Sequence, residues 1–337
     1  VLAVLLVSLT LPWFNDFTQK QLVLDFFGNR FLVILLLSIT LITGFIAGSY
    51  PAFYLSAYKP VDVLKGETIS GKAKFSLRSV LVVFQFAISI VLLIGVGVVN
   101  DQLEYVKSKD LGFDDDRVMV LPINQAIYNN FQNTKVELLQ NPTIAKVSLA
   151  SRIPSGRLLD SQGATAEVDG EMKRISFRIA DVHTDHDFLN TLDAVFVAGR
   201  DFNQELASDS TEAFVINEAS VKAVGWKTND QAIGKKFNYG GRQGYIIGVV
   251  KDFHFESLHQ EIAPIVFLIT GGRMGQMIVK IKAGAEEETY AQLQEKWSYL
   301  MPDFPFDPYY IETSFDEQYA NEDRLAELVN YFSVLAI

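Results

Sequence analysis

The stretch Leu77–Phe113 reads LRSVLVVFQFAISIVLLIGVGVVNDQLEYVKSKDLGF. Up to Val99 it carries one charge, Arg78, at its edge. A bilayer core of roughly 30 Å is crossed by about 20 apolar residues in helix, and Leu77–Val99 meets that length. The pattern does not stop at a loop. Leu103, Val106 and Leu111 continue at helical spacing among charged residues. One long helix is predicted over 77–109, apolar in lipid and then amphipathic as a stalk projecting from the membrane. Gly112 stands where a C-terminal cap would end it.

Towards the N-terminus, Phe31–Leu55 reads FLVILLLSITLITGFIAGSYPAFYL without a charge. A buried soluble helix keeps a polar stripe, and neither run has one. Gly44, Gly48 and Pro51 are tolerated in membrane helices because neighbouring helices satisfy freed backbone groups. Ser49-Tyr50-Pro51 is read as a kink or helix end near the water interface. The loop 56–76 holds Lys59, Lys65, Lys72 and Lys74, with Arg78 just beyond, whereas Pro12–Arg30 holds Lys20 and Arg30. This excess of positive charge assigns 56–76 to the cytoplasm, and Pro12–Arg30 and everything after about Asn100 to the far side. Trp13 and Phe14 suit an interfacial position. The apolar runs Val1–Leu11 and Leu325–Ile337 read as cut membrane helices, so the chain is expected to be a fragment of a longer one. The first run lacks the basic region and cleavage site of a signal peptide.

The 337 residues are 49% hydrophobic, include no Cys and carry a net charge of −11. Their mean hydropathy is +0.17. Without Cys there is no disulfide framework, thiolate metal site or Cys nucleophile. Residues 1–100 hold seven Lys/Arg against four Asp/Glu, and residues 101–337 hold 22 against 36. An apolar, slightly basic segment thus precedes an acidic one, which excludes a nucleic-acid binder and fits a membrane protein with a large water-facing domain.

From Asp114 to about Asp316 the pattern is mixed. Strands are expected at Val118–Pro122, Val147–Ser151, Ala164–Val168, Ser176–Asp181, Ala213–Ile216, Gly244–Val250, Ile265–Ile269 and Met277–Ile281. Helices are expected around Asn130–Gln140, Glu218–Val224 and Glu286–Leu300. Without strict βαβ alternation the class is α+β. Asp307–Thr313 reads as a strand leading out of the domain. Ser314 with Glu317 reads as a capping box opening a long helix through Arg324 into the terminal apolar run. The domain is thereby inserted between two helices that enter the membrane.

These segments resemble the FtsX-like, MacB-type permease subunits of ABC transporters, especially the second half of the long two-half forms. The resemblance is carried by GSYPAFYLSAYKPVDVLKG (Gly48–Gly66), FSLRSVLVVFQFAISIVLLIG (Phe75–Gly95), KDLGFDDDRVMVLPI (Lys109–Ile123), GRDF (Gly199–Phe202), FVINEASVKAVGW (Phe214–Trp226), GVVKDFHFESLHQEIAPIVF (Gly248–Phe267) and the return segment Pro305–Ile337. It implies a multi-pass protein of the bacterial inner membrane. Its parts would be a truncated transmembrane helix at 1–13, a transmembrane helix at 31–55, a cytoplasmic loop at 56–76 and a transmembrane helix with stalk at 77–109. A MacB-like periplasmic domain would occupy 110–316, with a stalk and truncated helix at 317–337. It further implies a non-catalytic subunit, paired as a dimer or pseudo-dimer, that binds no cofactor. ATP would be held by a separate or fused cytoplasmic ATPase, whose closure moves the membrane helices and, through them, the periplasmic domain. Export, lipoprotein handling and envelope regulation, with or without a periplasmic partner protein, all use such movement. The sequence departs from the family at Asp193-Ala194, where the resemblance implies Gly and an apolar residue.

No GxxxxGK[ST] is present, and Gly240-Gly241 and Gly271-Gly272 are isolated turn glycines, so nucleotide binding by this chain is not expected. His183-Thr-Asp-His186 with Asp181, Asp185 and Asp187 has the composition of a metal cluster. It lies at a strand end rather than on a helix with a general-base Glu, and is read as a solvated loop rather than a metal site. The Asp114–Asp116 run before Arg117 is read as a solvated junction. No GxSxG is present. The lysines of 65–74 set topology, and at roughly 1 kcal/mol per charge they also suit anionic lipid head groups. The residues singled out are mechanical. Gly48, Tyr50 and Pro51 shape the cytoplasmic helix end. Phe84, Gln85 and Phe86 face other helices, Gln85 being the amide in mid-span that seeks a partner. Asp252, Phe253, His254 and Phe255 form an ordered turn shaping the periplasmic domain, packed by its two Phe. The competing reading is a membrane-anchored extracytoplasmic sensor, which would need a cytoplasmic output module. A third, a membrane-anchored hydrolase, would need metal or nucleophile chemistry within 114–316.

Overall fold

The computed structural model describes residues 2–26, 28–56, 77–271, 274–302 and 304–336. They form two units, Val1–Asn100 with Arg324–Ile337, and Asp101–Asp323.

The first unit is helical. Helices run Leu2–Thr18, Arg30–Ser56 and Leu77–Ser108, and a last one, Ala320–Ala336, returns to it. Arg30–Ser56 and Leu77–Ser108 are long and apolar enough to cross a membrane, and no residue of their apolar windows is buried. Two expectations are corrected here. The first helix, expected over 1–13, runs past Pro12 and Trp13 to Thr18. Past the proline, Trp13 stacks on Phe17 at 5.6 Å and both rings meet Tyr331 edge-on, at 5.8 and 6.1 Å. Asn15 then clamps the turn beyond by accepting from the Leu22 N–H and donating to the Leu22 carbonyl. Likewise, the backbone does not leave the helix at Ser49-Tyr50-Pro51 but stays helical to Ser56. Of the kink or helix end expected there, the helix end is overturned, since an interior proline can kink a helix without ending it. The loop read as cytoplasmic, 56–76, lies beyond Ser56 outside the described residues.

Among its described residues the second unit holds eleven strands. They are β1 Val118–Pro122, β2 Ile144–Ala150, β3 Ser161–Val168, β4 Glu171–Thr184, β5 Phe196–Gly199, β6 Ala213–Asn217, β7 Lys236–Tyr239, β8 Arg242–Val250, β9 Ile265–Ile269, β10 Gln276–Ile281 and β11 Tyr309–Tyr310. The strands are almost continuously apolar and buried in β1, β6 and β9 and one-sided in others such as β7. All are hydrogen-bonded into one sheet. Because β9 pairs with β6 and also, in parallel, with β4, the strands β4-β3-β7-β8-β6-β9 close into a ring. The 14 residues of β4 permit this, since one stretch pairs with β3 and the other with β9. Ile179, Phe214, Phe237, Tyr239, Ile246 and Leu268 form the ring's buried cluster, as expected of a barrel too narrow for a channel. The remaining strands, in the order β11-β1-β10-β2, form an antiparallel arm joined to the ring at the pair Ala150–Thr184. Helices Phe131–Leu139 and Glu286–Leu300 cover the arm, burying Phe131, Leu138, Leu293 and Trp297 against Met119, Leu121 and Val279. The class is α+β.

The chain leaves this unit differently from the expectation. Asp307–Thr313 is strand only at Tyr309–Tyr310, and helix begins at Ile311. Ser314 is therefore not a cap. It lies inside the helix Ile311–Gln318, and its hydroxyl accepts from that of Ser155 at 2.9 Å. The long helix expected from there breaks at Tyr319 and restarts at Ala320. Gly112 is not the cap of the stalk helix either, because that helix ends at Ser108. Its φ of +89° serves a close approach instead. A Cβ there would stand 2.9 Å from the Asp252 carbonyl oxygen and 2.9 Å from Phe253 Cβ. Asp114 is not simply solvated, since its carboxylate receives the buried Lys280 ammonium at 2.7 Å. At Asp193 the backbone is left-handed, with φ +49°. Asp tolerates that conformation, and its carboxylate accepts from Lys146 at 2.5 Å.

Gly112→Ala is expected to cost roughly 2–4 kcal/mol, the left-handed penalty and the clash together. Gly170, with φ +83° and open space around it, bears only the first, so Gly170→Ala should cost roughly 1–2 kcal/mol. Urea unfolding of the solubilised chain followed by Trp fluorescence measures both, and equal costs would contradict the packing role of Gly112.

Candidate functional site

The segment Asp252–Phe255 joins the chain that enters the second unit to the chain that leaves it. Asp252 Oδ1 accepts the Ala219 N–H at 2.8 Å, and Glu218 accepts the Asp252 N–H at 3.1 Å. This fixes the segment against the start of the helix Glu218–Val224. Burial pushes the Asp252 carboxyl upward, against the lowering effect of that backbone bond. Phe253 is 2% exposed, and its ring lies 5.6 Å from Phe113, 6.1 Å from Phe255 and 6.1 Å from Phe267. His254 donates its N–H to the Leu111 carbonyl at 2.8 Å. Burial lowers its imidazole pKa, and nearby Lys109 lowers it further. The Phe255 carbonyl accepts the Ser155 N–H at 2.9 Å.

The outgoing chain meets the same cluster. Phe315 is buried with its ring 6.2 Å from Phe113. Ser155, held at φ +77°, accepts at its carbonyl from the Gln318 amide at 2.6 Å. Strain of this kind persists only where surrounding contacts over-determine it. At the helix break, the buried Tyr319 hydroxyl accepts the Leu258 N–H at 2.7 Å, and its ring packs on His259 at 5.4 Å. Lys107, one residue before the incoming helix ends, pairs with Asp323 of the outgoing one at 2.9 Å. Both side chains are more than 40% exposed, and such pairs contribute about 0.2–1 kcal/mol. The pair therefore marks adjacency, and the aromatic cluster does the holding. Between these segments lies a cleft of about 440 Å³, floored by Leu111, Phe113, Phe315 and Tyr319 and edged by Asp115 and Glu312. Burial, then Asp116 and Glu312 nearby, push the Asp115 carboxyl upward.

The sequence-predicted residues thus separate into groups. Asp252, Phe253, His254 and Phe255 come together at this junction. Gly48, Tyr50 and Pro51 lie on the helix Arg30–Ser56, where Gly48 is exposed. Phe84, Gln85 and Phe86 lie exposed on the helix Leu77–Ser108, and Gln85 makes no side-chain hydrogen bond among the described residues. Sequence reasoning missed Phe113, Ser155, Phe315 and Tyr319. The four-residue spacing of Phe315 and Tyr319, one helical face, was the available signal.

His183 is not in a solvated loop. It sits on β4, 7% exposed, with Nε2 2.9 Å from Asp181 Oδ2 and Nδ1 against the Thr270 hydroxyl. Asp181 in turn accepts from the Tyr239 hydroxyl at 2.7 Å, and this buried polar chain belongs to the packing of the ring. His186 lies apart, 3.3 Å from the Ser210 hydroxyl. Among the described residues no group of three or more His, Asp or Glu is arranged to hold a metal ion. Beside His186, carboxylates gather around two cations. Lys135 pairs with Asp187 and lies 3.5 Å from Asp185, and Arg200 pairs with Asp209. Burial pushes Asp185 up to about 6. Burial and the neighbouring Asp187 and Asp185 push Asp201 up to about 7.

No protein-family model and no curated relative matches the chain. Among solved structures it is similar to the periplasmic region of MacB from Actinobacillus actinomycetemcomitans, at 16% identity and TM-score 0.43, covering 63% of this chain and 96% of that one. It is also similar to a domain described as a permease protein's from Porphyromonas gingivalis, at 14% identity and TM-score 0.38, covering 58% and 89%. A third is the extracellular domain of the ABC-type transporter YknZ from Gram-positive bacteria, at 13% identity and TM-score 0.38, covering 57% and 98%.

Acids whose folded pKa is raised favour folding most below the ordinary carboxylate range, and that advantage is lost as pH rises through the folded value. The urea midpoint should therefore fall as pH is raised from about 5 to about 8 through the raised values of Asp185 and Asp201. Asp201→Asn should flatten this slope. An unchanged slope in the variant would show that Asp201 is not the titrating group.

Proposed function

We propose that the chain is the membrane subunit of an FtsX/MacB-type ABC transporter, coupling ATP hydrolysis by a partner ATPase to movement of an extracytoplasmic α+β domain. The observation that carries this reading is the helix Leu77–Ser108, which runs from a charge-free apolar stretch into the second unit without a break and ends beside the outgoing chain at Lys107–Asp323. A force that tilts this helix acts directly on the junction around Phe253. The lysine excess of 56–76 supports a cytoplasmic position for that loop, where an ATPase would be met. The exposed apolar windows of both long helices support lipid and a second permease chain as their neighbours. The segments that resemble the permease family, Gly48–Gly66 and Gly248–Phe267 among them, fall on the mechanical parts: the end of one long helix and the junction. The chain's own role in this scheme is non-catalytic, holding no cofactor.

Full-length permease in lipid nanodiscs should hydrolyse no ATP alone and should do so with the ATPase that co-isolates from membranes. Hydrolysis by the permease alone would overturn the reading. So would co-isolation with a kinase or other output module in place of an ATPase, which is the signature of a sensor.

A further inference from the structure

Among the described residues, the ring presents an exposed face at Met172, Arg174, Gln243 and Tyr245. Along β3, β4, β7 and β8 the inward residues are the buried cluster, and the outward ones line three adjoining clefts of about 380, 500 and 620 Å³. The clefts are continuous, because Asn238 and Gln243 wall the first and second, and Gly163 and Arg174 the second and third. The trough has a charge opposite to that of its surroundings. Residues 101–337 hold 36 acids against 22 bases, yet the trough is lined by Arg174, Arg178 and Lys236 against Glu212 alone. Arg178 is held by the Ser161 carbonyl, whereas the Arg174 side chain is exposed and makes no hydrogen bond or ion pair among the described residues. Beside these stand Met172 and Tyr245, each 44% exposed.

We propose that this trough docks an extended, acidic segment of a partner protein in the compartment that the domain occupies. The chemistry of the lining selects that occupant. A free guanidinium in a shallow trough recognises a carboxylate through two parallel bonds. The amides of Asn238 and Gln243 each offer a donor and an acceptor, which suits the alternating groups of a peptide backbone. Exposed Tyr, Met and Arg are types enriched in protein interfaces. At the middle of the trough β7 is paired on both sides, by β3 and by β8, over Phe237–Tyr239, so recognition there runs through side chains on a sheet face and not by strand addition. A second copy of this chain is the weaker fit. Closed dimers use one self-complementary patch, and this patch is predominantly basic.

The test is photo-crosslinking in cells, with benzoylphenylalanine at Tyr245 or Gln243 of the full-length protein and the crosslinked peptide sequenced by mass spectrometry. The expected product joins the trough to a peptide of another protein rich in Asp and Glu. Its yield should fall about tenfold with Arg174→Glu, the loss of one charged contact. Lys282→Glu, the same charge change at an exposed site outside the trough, should leave the yield unaltered. Crosslinks to a second copy, to lipid, to a neutral or basic peptide, or to nothing would overturn the proposal. So would a yield indifferent to Arg174. Arg174→Gln, expressed to the same level, guards against a folding defect. ATP hydrolysis is not read, so failure here leaves the transporter reading standing.

Discussion

The second unit depends on the packing of Phe253 against the incoming chain at Phe113, which in turn packs on the outgoing chain at Phe315. A domain inserted between two helices must bring its two chain ends together, and this aromatic cluster does so with little help from charge. Removing a buried Phe ring costs about 3–5 kcal/mol, whereas the exposed Lys107–Asp323 pair contributes less than about 1 kcal/mol. The backbone of 252–255 is fixed independently by the helix Glu218–Val224 and by Leu111 and Ser155. Movement of either chain end is therefore resisted at a point already tied into the ring strands through Phe267 of β9.

Much of this was legible in the sequence, because periodicity reports burial. Ile265–Ile269, Glu218–Val224 and Glu286–Leu300 read clearly from their apolar spacing and their flanks, and the structure has elements of the same bounds. DFHF reads as an ordered turn packed by two phenylalanines; both rings are buried, but Asp252–His254 runs as irregular backbone with a bend only from Phe255. What stayed hidden depends on distant partners. Gly112 looks like a helix cap from its neighbours, and only the approach of Asp252 explains it. Ser314 with Glu317 has the spacing of a capping box, yet Ser155, remote in sequence, claims the hydroxyl. His183 reads as solvated beside so many carboxylates. Its burial follows from the length of β4, which no local pattern announces. Nor does any local pattern show that β9 pairs on both sides and closes a ring.

Asp193 is a similar case. A family pattern that implies Gly at this turn is met by an Asp that adopts the same left-handed backbone and adds bonds from Lys146. The fold constraint is conformational, and more than one residue satisfies it. The carboxylate cluster around Asp185 and Asp201 shows the reverse. There burial first, and the neighbouring acids after it, push the Asp185 and Asp201 carboxyls upward.

The transporter reading requires the loop after Ser56 and the α+β unit to lie on opposite sides of the membrane. The absence of Cys from the chain makes this directly measurable. A single Cys is placed at Lys72 or at Tyr299, which is 80% exposed, and spheroplasts are treated with a membrane-impermeant maleimide. The account requires Tyr299→Cys to be labelled on intact spheroplasts and Lys72→Cys only after they are lysed. Labelling of Lys72→Cys from outside, with Tyr299→Cys protected, would contradict it.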